Sequence, residues 1–130
     1  MSLLLYTAQS DITGKEIMKA IRISLPDESM EVCSTVNGLA VKLSEQEPHR
    51  KMAILVPANG KNLIDIFSMQ SLGLFNGLPI ALVLPNKERL AASIGSRLKP
   101  RLMYYRDSGI DEVVSGLLDT VNSLQFCEAC

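Results

Sequence analysis

Tryptophan is absent from this 130-residue chain, and only 5% of it is aromatic: Tyr6, Tyr104, Tyr105, Phe67, Phe75 and Phe126. So few rings count against a site that stacks bases or a flat cofactor between several of them. Histidine occurs once, at His49, beside Pro48 in a charged stretch and with no Ser, Cys or acidic partner at a recognisable spacing. It reads as solvated surface. Cysteine occurs three times, at Cys33, Cys127 and Cys130, too few and too odd a set for a disulfide framework, as fits a reducing compartment. Cys127-Glu128-Ala129-Cys130 has CxxC spacing. Redox pairs of that kind open a helix after a strand, and a zinc site needs further ligands. Here the motif closes the chain, so 126–130 reads as a tail after one domain over 1–125.

Charge of one sign is also lacking. Thirteen Lys and Arg stand against 14 Asp and Glu, for a net charge of -1, whereas nucleic-acid binders usually carry a strong basic excess. No apolar run approaches the ~20 residues that cross a bilayer. The N-terminus lacks the basic segment and long apolar core of a secretory signal. Cytoplasmic residence without a nucleic-acid or membrane partner is the expectation.

What is present is a rhythm of apolar runs and amphipathic stretches. Its centre is Met52-Ala53-Ile54-Leu55-Val56, followed by Pro57-Ala58-Asn59-Gly60. An uninterrupted apolar run ending in turn residues marks a strand buried on both faces, as in a parallel sheet covered by helices. Leu63, Ile64, Ile66 and Phe67 then repeat at helical spacing, so a helix is expected over about 61–72. Upstream, Leu3–Thr7 reads as a first strand, and Gly14 to about Leu25 as a helix with Ile17, Met18, Ile21 and Leu25 inward. Met30–Ser34 alternates like an edge strand, and Val36–Glu45 reads as a helix with Val36, Leu39, Ala40 and Leu43 inward. Gln46–Lys51 is expected as a solvated connection. Downstream, Leu78–Leu84 is a second doubly buried run. Asn86 suits an N-cap for a fourth helix facing inward through Leu90, Ala91, Ile94 and Leu98. Arg101–Arg106 is a fifth strand. After Asp107-Ser108-Gly109, a last helix carries Ile110, Val113, Val114, Leu117, Leu118, Val121 and Leu124 on one face.

Five strands alternating with five helices predict a (βα)5 three-layer α/β sandwich, flavodoxin-like, with parallel strands in the order 2-1-3-4-5. Ligands of such folds sit beyond the carboxyl ends of the central strands. There the sequence offers Thr7, Ala8, Asp11, Pro57, Asn59, Lys61, Arg106 and Asp107. Pro57 to Gly60 supply no acid, base or nucleophile, so no enzymatic activity, metal or cofactor is expected. Asp11, Asn59, Lys61 and Arg106 converge in this topology and can hold an anion, or act as caps and turn formers.

In length, (βα)5 rhythm and turn spacing, residues 3 to 125 resemble the receiver domain of two-component response regulators. That resemblance implies an acidic pair after the first strand, a phosphoacceptor Asp after the third, a hydroxyl after the fourth and a Lys after the fifth. The matching positions read Thr7 and Ala8, Pro57, Leu84 or Pro85, and Arg106 or Asp107. Receivers accept a phosphoryl group on Asp with Mg²⁺ held by carboxylates, and Thr7, Ala8 and Pro57 provide neither. The expectation is a pseudo-receiver: a phosphorylation-independent signalling module working by protein–protein contact.

Two further readings accompany it. The stretch from Thr7 to Thr13-Gly14-Lys15 is similar to the phosphate loop of flavodoxins, where backbone N–H groups at a helix start hold phosphate. The alternative is therefore a flavodoxin-like binder of FMN or another phosphate-bearing ligand, although the ring-bearing loops that sandwich a flavin are missing. Lys87, Arg89, Arg97, Lys99 and Arg101 gather on the fourth helix and the start of the fifth strand, with Asp111, Glu112 and Asp119 on the last helix. Such charges often form only a solvated face. In receivers the same face is a dimer or partner surface, which implies Arg97, Arg101, Tyr104, Tyr105, Asp111 and Asp119 as interface residues of a homodimer or protein complex.

Overall fold

The computed structural model describes residues 2–8, 11–26, 29–45, 50–75, 77–106 and 109–129, with side chains through 122. Five strands, β1 (Ser2–Thr7), β2 (Ser29–Cys33), β3 (Arg50–Val56), β4 (Ile80–Leu84) and β5 (Leu102–Tyr105), alternate with five helices. The helices are α1 (Ile12–Ser24), α2 (Val36–Ser44), α3 (Gly60–Ser71), α4 (Arg89–Arg97) and α5 (Ile110–Ala129). The strands form one parallel sheet in the order β2-β1-β3-β4-β5, as the apolar runs predict.

Alternation along the central strands divides the core in two. Leu4, Tyr6, Ala53, Leu55, Leu82 and Leu84 face the layer of α2, α3 and α4, with Leu39, Leu63 and Ile66. Leu3, Leu5, Ile54, Val56, Ala81 and Val83 face α1 and α5, with Ile17, Ile21, Val113, Leu117 and Val121. Both faces of β1, β3 and β4 are covered, so these strands carry no polar alternation. Leu117 is buried at mid-α5, and truncating such a residue to Ala costs about 2–5 kcal/mol.

The structure corrects the sequence reading at several points. Arg50 and Lys51 belong to β3 rather than to a solvated connection, and Lys51 is only 3% exposed. The Arg50 guanidinium is held by Glu31 of β2, with Nε donating to Oε2 at 2.7 Å, and by the Lys42 carbonyl at 2.7 Å. A charged pair between β3 and β2, which lie on either side of β1, thus holds the first residue of the longer β3. The N-cap position of α4 is Glu88, not Asn86, whose Oδ1 instead accepts from the Glu88 N–H at 2.9 Å. Leu90 is 64% exposed, and Ala91 and Gly95 face the sheet in its place. Small residues let α4 approach Leu82 and Leu84 closely. Of the apolar repeat that marks α3, Leu63 and Ile66 are buried and Ile64 is exposed. The α5 backbone continues to Ala129, through the stretch read as a tail, while the Leu124, Phe126 and Cys127 side chains, Cys130 and His49 lie outside the described residues.

Candidate functional site at the strand ends

Register fixes which residues meet at the carboxyl edge of the sheet. Thr7 pairs with Val56, and Leu84 pairs with Tyr105. Pro57 and Arg106 are therefore the first residues beyond β3 and β5. Each strand leads into a helix whose first turn must satisfy its free N–H groups. Asp11 caps α1, its Oδ1 accepting from the Gly14 N–H at 3.4 Å. Asn59 caps α3, accepting from the Asn62 N–H at 3.0 Å, while Asn62 Oδ1 accepts from the Ala58 N–H at 3.3 Å. Asn59 Oδ1 is thus engaged at the helix start, and the Asn62 side chain holds the residue before it. Lys61 is exposed on α3.

Asp11 and Arg106 do come together. Arg106 Nη1 donates to Asp11 Oδ1 at 2.8 Å and Nη2 donates to Oδ2, a fork-to-fork pair in which both carboxylate oxygens are taken. Nη2 also donates to the Pro57 carbonyl at 2.9 Å. One guanidinium thus ties the loop after β1 to the end of β3. The Asp11 side chain is 5% exposed and that of Arg106 is 24% exposed. The hydrogen bond from Arg106 holds the Asp11 carboxyl below the ordinary carboxylate range, against the opposing effect of burial. Burial, with the charges of Asp65 and Asp11, raises the Tyr6 phenol.

Two buried polar atoms here have no hydrogen-bond partner, Thr7 Oγ1 and Arg106 Nε. Thr7 packs directly on α1. A Cβ on Gly14 would lie 1.7 Å from Thr7 Oγ1, so only glycine lets the helix start this close to β1. The N–H of Gly14 already meets a carboxylate. An incoming phosphate would therefore face Asp11 at the helix start, which argues against the flavodoxin-like reading of this loop. Asp107, placed in this pocket by the sequence, lies outside the described residues.

The Mg²⁺ implied by the receiver resemblance does not fit the residues present. No group of three or more His, Cys, Asp or Glu suited to a metal occurs among the described residues. The carboxylate at hand, Asp11, already has both oxygens on Arg106. A fixed monovalent guanidinium occupies ground where a hydrated divalent ion would require free oxygen ligands.

The residues read as an interface separate on the surface. Arg97 lies exposed in the last turn of α4, and Asp119 is exposed on α5. Tyr104 and Tyr105 are half-buried rather than open. The Tyr104 hydroxyl abuts Gly116 of α5, and Tyr105 lies beneath Lys87, whose Nζ is 5.6 Å from the ring centre. Asp111 lines a groove between α1 and α5 with Ala20 and Ile23. Arg101 stands at the opposite end of the sheet from Arg106, beside Pro79 and Lys99. Met103 is exposed on β5, a position the sequence pattern does not mark.

No family model matches the sequence, and no curated protein matches it. Solved structures do match. A response regulator receiver protein from Pseudoalteromonas atlantica is similar at a TM-score of 0.71 and 12% identity, over 95% of this chain and 98% of that one. The chain has the receiver fold. A two-component response regulator from Legionella pneumophila is similar at 0.71 and 12% identity, over 96% of this chain and 98% of that chain. The Vibrio cholerae chemotaxis protein CheY4 is similar at 0.63 and 10% identity, over 92% and 97% respectively. Identities this low speak to the fold; the chemistry of the strand ends rests on the residues described above.

Proposed function

We propose that this protein is a signalling or regulatory module that uses the receiver scaffold for protein–protein contact, independently of aspartyl phosphorylation. The observation that carries the reading is the bridge from Arg106 to both oxygens of Asp11 and to the Pro57 carbonyl. Phosphoryl acceptance needs a carboxylate nucleophile beyond β3 and oxygen ligands for a metal beside it. Pro57 offers no side-chain nucleophile, and Asp11 is neutralised by a permanently charged partner. Information then enters and leaves by binding rather than by group transfer, and no catalytic role is assigned to any residue.

The surface assigned to partners is that of α4, β5 and α5, on which basic Arg97, acidic Asp119 and Met103 are exposed. A patch carrying both signs can complement a second copy across a two-fold axis. The test of the reading is treatment with acetyl phosphate and Mg²⁺ followed by intact-mass measurement. No phosphoryl adduct is expected. A stoichiometric, Mg²⁺-dependent adduct would overturn the reading.

A further inference from the structure

Away from the strand-end site, at the amino-terminal edge of the sheet, a cleft of about 550 Å³ opens between the ends of α3 and α4. That size lies within the usual range for small-ligand pockets, roughly 300–1,000 Å³. Its floor is apolar, with Phe75, Ile80 and Leu98 nearly buried and Leu78 half-buried, and Lys99 and Arg101 stand exposed beside it. None of its lining residues is acidic. Neither Lys99 nor Arg101 has an ion-pair partner among the described residues.

The segment carrying these cations is held in place. Lys99 adopts φ of 52°, left-handed backbone that non-glycine residues seldom take. Its N–H donates to the Ser96 carbonyl at 3.1 Å, Arg101 N–H donates to the Ile80 carbonyl at 2.7 Å, and Gln70 Nε2 donates to the Leu98 carbonyl at 3.0 Å. Across the cleft, Gly73 and Gly77 present backbone with open space where a Cβ would stand. The carbonyls of Ser68, Met69 and Gln70 near the end of α3 accept from Leu72, Leu74 and Gly73. The cations are therefore not required to cap that helix.

We infer that this cleft binds a small amphiphilic anion, with its apolar part against half-buried Leu78 and the edge of Phe75 and its carboxylate or phosphate head between Lys99 and Arg101. Apolar lining supplies burial, and two cations without acidic neighbours select the sign of the head group. The site is separate from the strand-end bridge and goes beyond the proposed signalling role.

Titration of the ¹⁵N-labelled protein with decanoate and with decyl phosphate tests it, with decyltrimethylammonium as the opposite-charge control. Saturable shifts at Gly73, Gly77 and Leu98 to Arg101 are expected with either anion, and none with the cation. A response to only one anion also supports the site and identifies its head group. Lys99→Gly with Arg101→Gln should weaken binding about tenfold, the scale of a charged hydrogen bond. Lys99→Gly alone removes one cation while suiting the left-handed backbone, so it separates loss of binding from loss of folding. Equal response to the cationic control, shifts confined to other surfaces, or affinity unchanged in the double variant would overturn the assignment.

Discussion

Arg106 and Asp11, 95 residues apart in sequence, meet as a two-pronged ion pair across the carboxyl edge of the sheet. The pair closes the corner between the first and third strands, which is the topological switch point of this fold and the usual place for its chemistry. Removing one member strands the other. Arg106→Met should destabilise the protein by about 3 kcal/mol, because the Asp11 carboxylate would remain buried without its countercharge. Asp11→Asn, which keeps an oxygen for the Gly14 N–H, should recover part of that loss when combined with Arg106→Met. Chemical denaturation of the four-member cycle measures the coupling.

The same pair sets an acid dependence. The carboxyls of Asp11 and Glu31 both lie below their ordinary range, held chiefly by hydrogen bonds from Arg106 and Arg50. A depressed folded-state value means that stability is fully present above the unfolded carboxylate value of about 4 and is lost as pH falls through the folded value. Stability should therefore be level from neutrality to about pH 5 and decline below it. Asp11→Asn should make the decline shallower, as read by denaturation midpoints across the acid range.

Thr7 carries a buried hydroxyl with no hydrogen-bond partner. Thr7→Val keeps the shape and removes the unpaired oxygen, so stability should rise by about 1 kcal/mol. A fall instead, seen as a lower midpoint in urea, would show that the hydroxyl has a partner in solution.

Much of this architecture is legible in the sequence. Uninterrupted apolar runs at β1, β3 and β4 give away a parallel sheet, and the 3.6-residue period of α5 gives away its buried face. The start of β3 is not legible, because Arg50 and Lys51 look like loop residues until Glu31 of β2, on the far side of β1, is seen to receive Arg50. The face of α4 is misjudged because Leu90 outranks Ala91 and Gly95 in hydrophobicity, while close approach to the sheet favours the smaller residues. At the site, convergence of Asp11 and Arg106 follows from topology. Their bidentate pairing does not, and neither does the engagement of Asn59 by Asn62, since both depend on loop geometry.

Gly116 and Tyr104 form the contact that seats α5 on β5. A Cβ at Gly116 would lie 1.9 Å from the Tyr104 hydroxyl oxygen. Gly116→Ala should cost about 1–3 kcal/mol through overpacking. Adding Tyr104→Phe removes the atom that is struck first and should restore part of the loss, as thermal unfolding of the single and double variants will show.

Association through α4, β5 and α5 predicts a charge pattern. Residues three or four positions from Gly116 share its side of the helix, which puts Asp119 towards β5, whereas Asp111 lines the groove against α1. Arg97→Glu with Arg101→Glu should weaken self-association, and Asp119→Lys should partly restore it while Asp111→Lys does not. Each exposed pair contributes only ~0–1 kcal/mol, so the effect should shrink at high salt. Sedimentation equilibrium reads all of these outcomes. A monomer at every concentration, or a dimer indifferent to the changes, would remove this face from consideration.

An amide NMR titration with beryllofluoride and Mg²⁺ tests most directly the proposal that the strand ends receive no phosphoryl group. With Pro57 in the acceptor position and both Asp11 oxygens on Arg106, the resonances of Ala8, Ala58, Leu84 and Tyr105 should stay where they are. Saturable, Mg²⁺-dependent shifts of those resonances would contradict the account.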